Sequence, residues 1–279
     1  MKFIDIKAPA KINIGLDILS KRDDGFHNLT TLFYPIHDLY DTLLIERSEK
    51  FEFVCKNKNV PDDDTNLVVK AKKLLENFTK KNLPAKIELI KRIPSQAGLG
   101  GGSSDAAAAL ISLNEMFTLG IKYETLLNLA LELGSDVPFF LKSKPSIGSS
   151  RGEILEPVNL LIENPILIIN PGINISTRNA FAQIVPKNKP TNFKSIIHDG
   201  RLNYSLASEI LKNDFENTVF SVYPEIEYIK KTCLDAGALI SFLSGSGSTV
   251  FAFFEDEKDA QRVQNLLPSK YFVHISLQD

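Results

Sequence analysis

The chain has 279 residues, with 32 Lys and Arg against 34 Asp and Glu, and a formal net charge of −2. That balance excludes a basic protein held on nucleic acid by bulk electrostatics, and no run of Lys or Arg suggests a local basic patch. With 43% hydrophobic and 24% charged residues the composition is that of an ordinary globular protein, and the length suits two domains or one large one, enough to bury a core without staples.

Cys55 and Cys233 are too few for a disulfide framework or a zinc site and fit a reducing compartment. No apolar run reaches the roughly 18 residues of a membrane helix, and the N-terminal segment alternates instead of forming a signal-peptide core. The chain is therefore expected in the cytoplasm, with no membrane or nucleic-acid partner; a monomer or weak homodimer is the expected assembly, which these features do not determine.

In chain order, Ile4, Ile6, Ala8, Ala10, Ile12, Ile14, Leu16 and Ile18 alternate with polar residues, the period of a strand with one buried face. Pro9 cannot donate to a ladder, so two strands or a bulge are expected there. KRDDG at 21–25 reads as a turn, and 42–45 and 51–54 as short strands. PDDDTN at 61–66 leads into a helix with Leu67, Val68, Ala71, Leu74, Leu75 and Phe78 on one face. A strand at 86–93, a glycine-rich loop and helices at 104–117 and 123–133 follow. Pro138 opens a short segment, and 143–152 reads as loop. The second half carries a strand at 166–169, a short helix at 177–184, a polar connector at 187–192 and helices at 204–211 and 224–235. Strands at 239–243 and 249–254, a helix at 258–267 and a strand at 271–277 close the chain. Strand, helices, strand, strand, helix, strand is the order of a ferredoxin-like βαββαβ unit. The fold class is therefore α+β.

The most informative segment is Pro94-Ser95-Gln96-Ala97-Gly98-Leu99-Gly100-Gly101-Gly102-Ser103-Ser104, between a strand and a helix. Glycines let backbone N–H groups approach a ligand, Ser103 and Ser104 add hydroxyls, and the helix N-terminus adds the positive end of its dipole. Phosphate binding is the better reading over a flexible turn capped by Ser104. No Lys follows the glycines as a P-loop requires, and Ser103 stands where the dinucleotide fingerprint needs Gly.

Lys11 and Asn13 share strand parity and so one face; from this strand alone a solvated polar face is the preferred reading. Asp136 in LGSDVPFF is either a helix N-cap ahead of Pro138 or a partly desolvated carboxylate, and the pattern leaves both open. If Lys11 lies near Asp136, the pair provides a base and a positive charge for activating a hydroxyl. No two of His27, His37, His198 and His274 are spaced as a metal pair. His27, beside Phe26, either recognises a base or packs at the end of a turn. The SGSGS segment at 244–248 reads by preference as a plain hairpin turn; if it faces the first glycine loop, it closes the nucleotide site instead. Phe220, Phe242, Phe251, Phe253 and Phe254 read as core.

PAKINIGLDI (9–18), IPSQAGLGGGSSDAAAAL (93–110) and LSGSGSTVFAFF (243–254) resemble the three motifs of the GHMP kinases. Within that superfamily, RDDGFHNLTTLF (22–33), LGSDVPFFL (133–141), RGE (151–153), PGINISTRNAF (171–181) and NDFENTVFSVYPEI (213–226) resemble the branch acting on a methylerythritol linked to cytidine diphosphate. The resemblance runs essentially end to end. It implies a two-domain GHMP kinase fold: an N-terminal mixed α/β domain of mostly antiparallel strands at 1–154, and a ferredoxin-like C-terminal domain at 155–279. It implies transfer of phosphate from ATP to the 2-hydroxyl of a small-molecule substrate with a cytidine diphosphate moiety, in the non-mevalonate route to isoprenoids.

By the same resemblance Lys11 and Asp136 are catalytic, and Pro94 to Ser104 wraps the ATP phosphates with Asn66 near the adenosine. Asn13 holds the substrate, His27 and Phe181 recognise the cytosine, and Phe26 and Thr177 line the substrate site. Mg²⁺ accompanies ATP, held mostly by phosphates and water with Ser104 as a candidate ligand, since no carboxylate set in the sequence forms a cage. Phe26 stands where many relatives have Tyr and loses a phenol contact, Ser135 stands where many have Ala, and the 142–150 loop departs from the pattern.

Overall fold

Strand β1 (Phe3–Lys21) runs unbroken through Pro9 in the computed structural model, which describes residues 2–57 and 60–277. The expected break is absent because β1 pairs only with β2 (His27–Arg47), so the missing N–H of Pro9 costs no ladder bond on the other edge. β1 alternates in burial near its start and is then buried on both faces from Ala10 to Ile18. β2 is 21 residues long; the sequence marks only its end, because a strand covered on both faces loses its alternation. The turn between them matches expectation, with the Gly25 N–H donating to the Arg22 carbonyl at 3.2 Å.

Two compact units share the chain, and neither is contiguous in sequence. The first comprises the chain up to Ala10, Leu39–Ser95 and Gly100–Ser143. Within it β3 (Glu52–Cys55) lies parallel to β4 (Ala85–Ile90), and β4 runs antiparallel to the end of β2, with Thr42 opposite Ile90 and Arg47 opposite Ala85. Helices α1 (Leu67–Thr79), α2 (Gly101–Met116), α3 (Tyr123–Leu133) and α4 (Val137–Phe140) pack on one another in the same unit. Ala106 to Ala109 let α2 approach its neighbours closely, since all four are buried. The inner face of α1 is Val68, Val69, Ala71, Lys72 and Leu75, whereas Phe78 lies out in solvent. The face is rotated from the expected one because Lys72 buries its stem, pairs with Glu76 at 2.8 Å and places its ammonium 4.3 Å from the centre of the Phe51 ring.

The second unit comprises Lys11–Asp38, Gln96–Leu99 and the chain from Lys144 onward. Here the start of β2 pairs antiparallel with β5 (Ser146–Ser150), which pairs with β6 (Ile154–Pro157). The 143–152 segment, expected as loop, thus holds a strand; Ser and Gly obscure it, and Gly148 is there because a Cβ would lie 2.5 Å from the Phe33 ring.

The remainder runs β7 (Ile166–Asn170), α5 (Thr177–Ala182), a 3-10 turn at Phe193–Ile196, and the small hairpin β8 (Ile197–His198) and β9 (Arg201–Leu202). It continues with α6 (Tyr204–Ile210), α7 (Glu216–Val222), α8 (Pro224–Asp235), β10 (Ile240–Leu243), β11 (Val250–Phe253), α9 (Glu257–Leu266) and β12 (Phe272–Ser276). Sheet order β10-β11-β7-β12, antiparallel throughout, is the ferredoxin-like arrangement expected. Leu167, Ile169, Val250 and Ala252 form a core with Ile226, Ile229 and Cys233 of α8 and Ala260 and Val263 of α9. Of the expected core phenylalanines, Phe254 lies in this core and Phe220 packs against it, whereas Phe242, Phe251 and Phe253 alternate with its members and are buried on the opposite face of the sheet. Helix α7 has no side-chain cap and no sequence signal marked its start.

Candidate active site

In the second unit Lys11 and Asn13 share a face of β1, as their parity requires, and both are buried, at 3% and 2% exposure. This overturns the solvated-face reading: the polar residues of the strand turn into protein. Lys11 Nζ donates to Asn13 Oδ1 at 2.5 Å, and Asn13 Nδ2 donates to Thr31 Oγ1 at 3.0 Å. Thr31 Oγ1 donates in turn to the Gly15 carbonyl at 2.6 Å, so the amide is held at both ends. The ammonium also lies 5.4 Å from the centre of the Phe33 ring.

The glycine segment is bolted to this strand. The Lys11 N–H donates to the Leu99 carbonyl at 3.0 Å. Residues 244–248, expected as a plain hairpin turn, are wholly buried and complete the attachment. Ser244 Oγ donates to the Gly98 carbonyl at 2.9 Å and accepts the Asn13 N–H at 3.3 Å. The Thr249 N–H donates to the Ala97 carbonyl at 3.2 Å. A Cβ at Gly98 would stand 2.0 Å from the Ser244 carbonyl oxygen, so only glycine fits there, at φ +78. Gln96, Gly98 and Gly100 all have positive φ and alternate with residues that do not, the backbone pattern of an anion-binding nest.

The His27 and Phe181 rings stack on each other, with centroids 4.9 Å apart and planes within 19°. Burial first, and then the charge of Lys21, hold the imidazole below its ordinary pKa, so His27 is neutral near pH 7 with one donor and one acceptor nitrogen. A base between the two rings would need them about 7 Å apart, two ring contacts of about 3.5 Å, so a base meets this pair from outside. Phe26 is 49% exposed, with the Arg151 guanidinium 4.6 Å over its ring. Thr177 Oγ1 and Ser246 Oγ lie 3.1 Å apart.

In the first unit helix α2 begins at Gly101 rather than Ser104, because Gly100 takes the left-handed conformation at φ 72 and turns the chain straight into the helix. Gly101 and Gly102 therefore belong to the first turn, where amides lack intrahelical partners. Ser104 Oγ is buried without a hydrogen-bond partner. Asn66 is the N-cap of α1: its Oδ1 accepts the Val68 N–H at 2.9 Å and its Nδ2 donates to the Pro61 carbonyl at 2.7 Å. Asp136 occupies the N-cap position of α4 with Pro138 in the first turn, the placement of the structural alternative, and its side chain makes no capping hydrogen bond.

Sequence reasoning gave no role to Thr31, Arg151 or a buried cluster of Lys91, Asp41 and Asp105. A readable signal for Lys91 existed: it continues the inward parity of Ala85, Ile87 and Leu89.

The chain matches the family described as GHMP kinases N terminal domain over residues 66–144 and that described as GHMP kinases C terminal over 192–274. The 4-diphosphocytidyl-2-C-methyl-D-erythritol kinase of Prosthecochloris aestuarii is 39% identical over 277 residues, 97% of this chain and 96% of that one. The enzyme of the same name from Bacteroides fragilis is 44% identical over 254 residues, covering 89% and 91%. A crystal structure of 4-(cytidine 5'-diphospho)-2C-methyl-D-erythritol kinase, 30% identical, has a TM-score of 0.82 and covers 99% of this chain and 100% of its own. A homoserine kinase from Cytophaga hutchinsonii, 19% identical with a TM-score of 0.72, shares the fold. The chain belongs to the GHMP kinases and, within them, to the 4-diphosphocytidyl-2-C-methyl-D-erythritol kinase family. It is a small-molecule kinase, and kinases of this family use ATP. Among the described residues no helix is long and apolar enough to cross a membrane.

Proposed function

We propose that this protein transfers the γ-phosphoryl group of ATP to the 2-hydroxyl of 4-diphosphocytidyl-2-C-methyl-D-erythritol, giving the 2-phosphate and ADP in the non-mevalonate route to isoprenoid precursors. The observation that carries the reading is the buried Lys11–Asn13 pair on a strand bolted to the glycine segment. Burying an ammonium carries a desolvation penalty, and a site that stabilises developing negative charge gives that burial a function. Asp136 takes the proton of the attacking hydroxyl, and Asn13 orients that hydroxyl. The Lys11 ammonium counters charge that develops as the phosphoryl group moves. Residues 94–104 hold the ATP phosphates by backbone N–H groups and the start of α2. Such positioning and charge stabilisation are most of what phosphoryl transfer needs.

Mg²⁺ bound with ATP would neutralise phosphate charge. Among the described residues no three His, Cys, Asp or Glu side chains group as a metal cage. The fit is therefore to an ion held by phosphates and water, with the unpartnered Ser104 Oγ as the chain's own ligand. We place the reaction in the cytoplasm, carried out by a monomer or weak homodimer.

His27 recognises the cytosine with its two ring nitrogens, while Phe26, Thr177 and Phe181 line the site. His27→Ala is expected to raise KM for the cytidylyl alcohol by about 10- to 100-fold, with KM for ATP unchanged, as expected where one buried donor–acceptor contact is lost. Steady-state kinetics with each substrate varied in turn checks this. The proposal itself is tested by ADP release with ATP and Mg²⁺ in the presence of the cytidylyl alcohol, mevalonate or homoserine. Release is expected with the first only; release driven by either of the others overturns it.

A further inference from the structure

The two ends of the glycine segment converge, in the first unit, on a buried charge cluster that the chemistry above does not use. Lys91 Nζ donates to an Asp41 carboxylate oxygen and to Asp105 Oδ2, the latter at 2.7 Å. The three side chains are at most 4% exposed. Asp41 Oδ1 accepts the N–H groups of Arg92 at 2.5 Å and Ile93 at 2.9 Å, the residues that lead into Pro94. On the far side, Asp105 lies in α2, and a Cβ at Gly101 would stand 3.0 Å from the Ile93 side chain and 3.2 Å from Lys91 Nζ. The first turn of α2 therefore rests on the ammonium itself.

We propose that Lys91, Asp41 and Asp105 act as positioning residues for ATP, clamping the entry and exit of the glycine segment to one centre so that the phosphate cradle is formed before nucleotide arrives. This rests on the reading of 94–104 as that cradle. A buried ion cluster adds little net stability, because desolvation offsets the attraction between its members; what it supplies is a fixed geometry. One ammonium between two carboxylates leaves a negative charge in excess. Burial, opposed by Lys91 and reinforced by Asp41, pushes the Asp105 carboxyl up to about 7. Burial pulls Lys91 down, but the charges of Asp105 and Asp41 outweigh it and hold the ammonium above its ordinary value.

Asp105→Ala cuts the tie to α2 and leaves Lys91 neutralised by Asp41, so the fold is expected to be retained. KM for ATP is expected to rise by about tenfold or more, with KM for the alcohol within about twofold, as for a misplaced binding element. Asp105→Asn keeps an oxygen for Lys91 and is expected to restore KM for ATP to within about threefold of the parent. An Asp105→Ala enzyme with unchanged KM for ATP overturns the proposal, as does one whose two KM values and kcat shift together. Ser104→Ala, run alongside, separates the two readings: if it raises KM for ATP while Asp105→Ala does not, only the clamp falls. If neither moves it, the cradle reading falls and takes the clamp with it. Should Asp105→Ala fail to fold, amide exchange on the parent protein decides. Slow exchange at Arg92 and Ile93 without nucleotide supports a preformed cradle, and fast exchange that ATP suppresses overturns it.

Discussion

Asp136→Asn is expected to lower kcat by about 10²- to 10⁴-fold, the range for losing a positioned general base. The substitution keeps the shape of the side chain and removes its capacity to take a proton. Asp136 makes no side-chain capping hydrogen bond to α4. A phosphoryl-transfer transition state is loose and draws only part of its driving force from deprotonating the nucleophile, which places the effect toward the lower end of that range. KM for ATP is expected to change little. A folded Asp136→Asn enzyme with near-parental turnover would remove the carboxylate from the mechanism.

Lys11→Met is expected to lower kcat by about 10²- to 10³-fold, the cost of removing one preorganised charge from where charge develops. Methionine fills the same channel without a buried ammonium. The substitution also leaves Asn13 Oδ1 a buried acceptor without its donor, at about 1–3 kcal/mol, so the melting temperature is expected to fall. A catalytic ammonium predicts that kcat of the folded enzyme falls by far more than the folded fraction does; a structural one predicts activity lost only in proportion to the folded fraction.

Much of the fold was legible because its cues are local. The period-two run of β1 and the amphipathic helices α3 and α8 are set by neighbours in sequence, and the bounds of the two helices match. What failed is non-local. Whether Pro9 breaks a strand depends on how many edges of β1 are paired. Whether Lys11 and Asn13 face solvent depends on segments as distant as Ser244. Whether 244–248 is a plain turn depends on a glycine segment almost 150 residues earlier. The Lys91 cluster shows the opposite case: a lysine on the buried parity of a strand was visible in the sequence, but its two carboxylate partners come from β2 and α2. For the site, residue type and motif pointed to the glycine segment and Lys11, while the side chains that hold them in place could be found only in three dimensions.

The most direct measurement is the mass and position of the phosphorylated product. After incubation with ATP, Mg²⁺ and 4-diphosphocytidyl-2-C-methyl-D-erythritol, the alcohol is expected to gain one phosphoryl group, with ³¹P coupling locating it on the 2-hydroxyl. An unchanged alcohol, or phosphate on any other oxygen, would contradict the account.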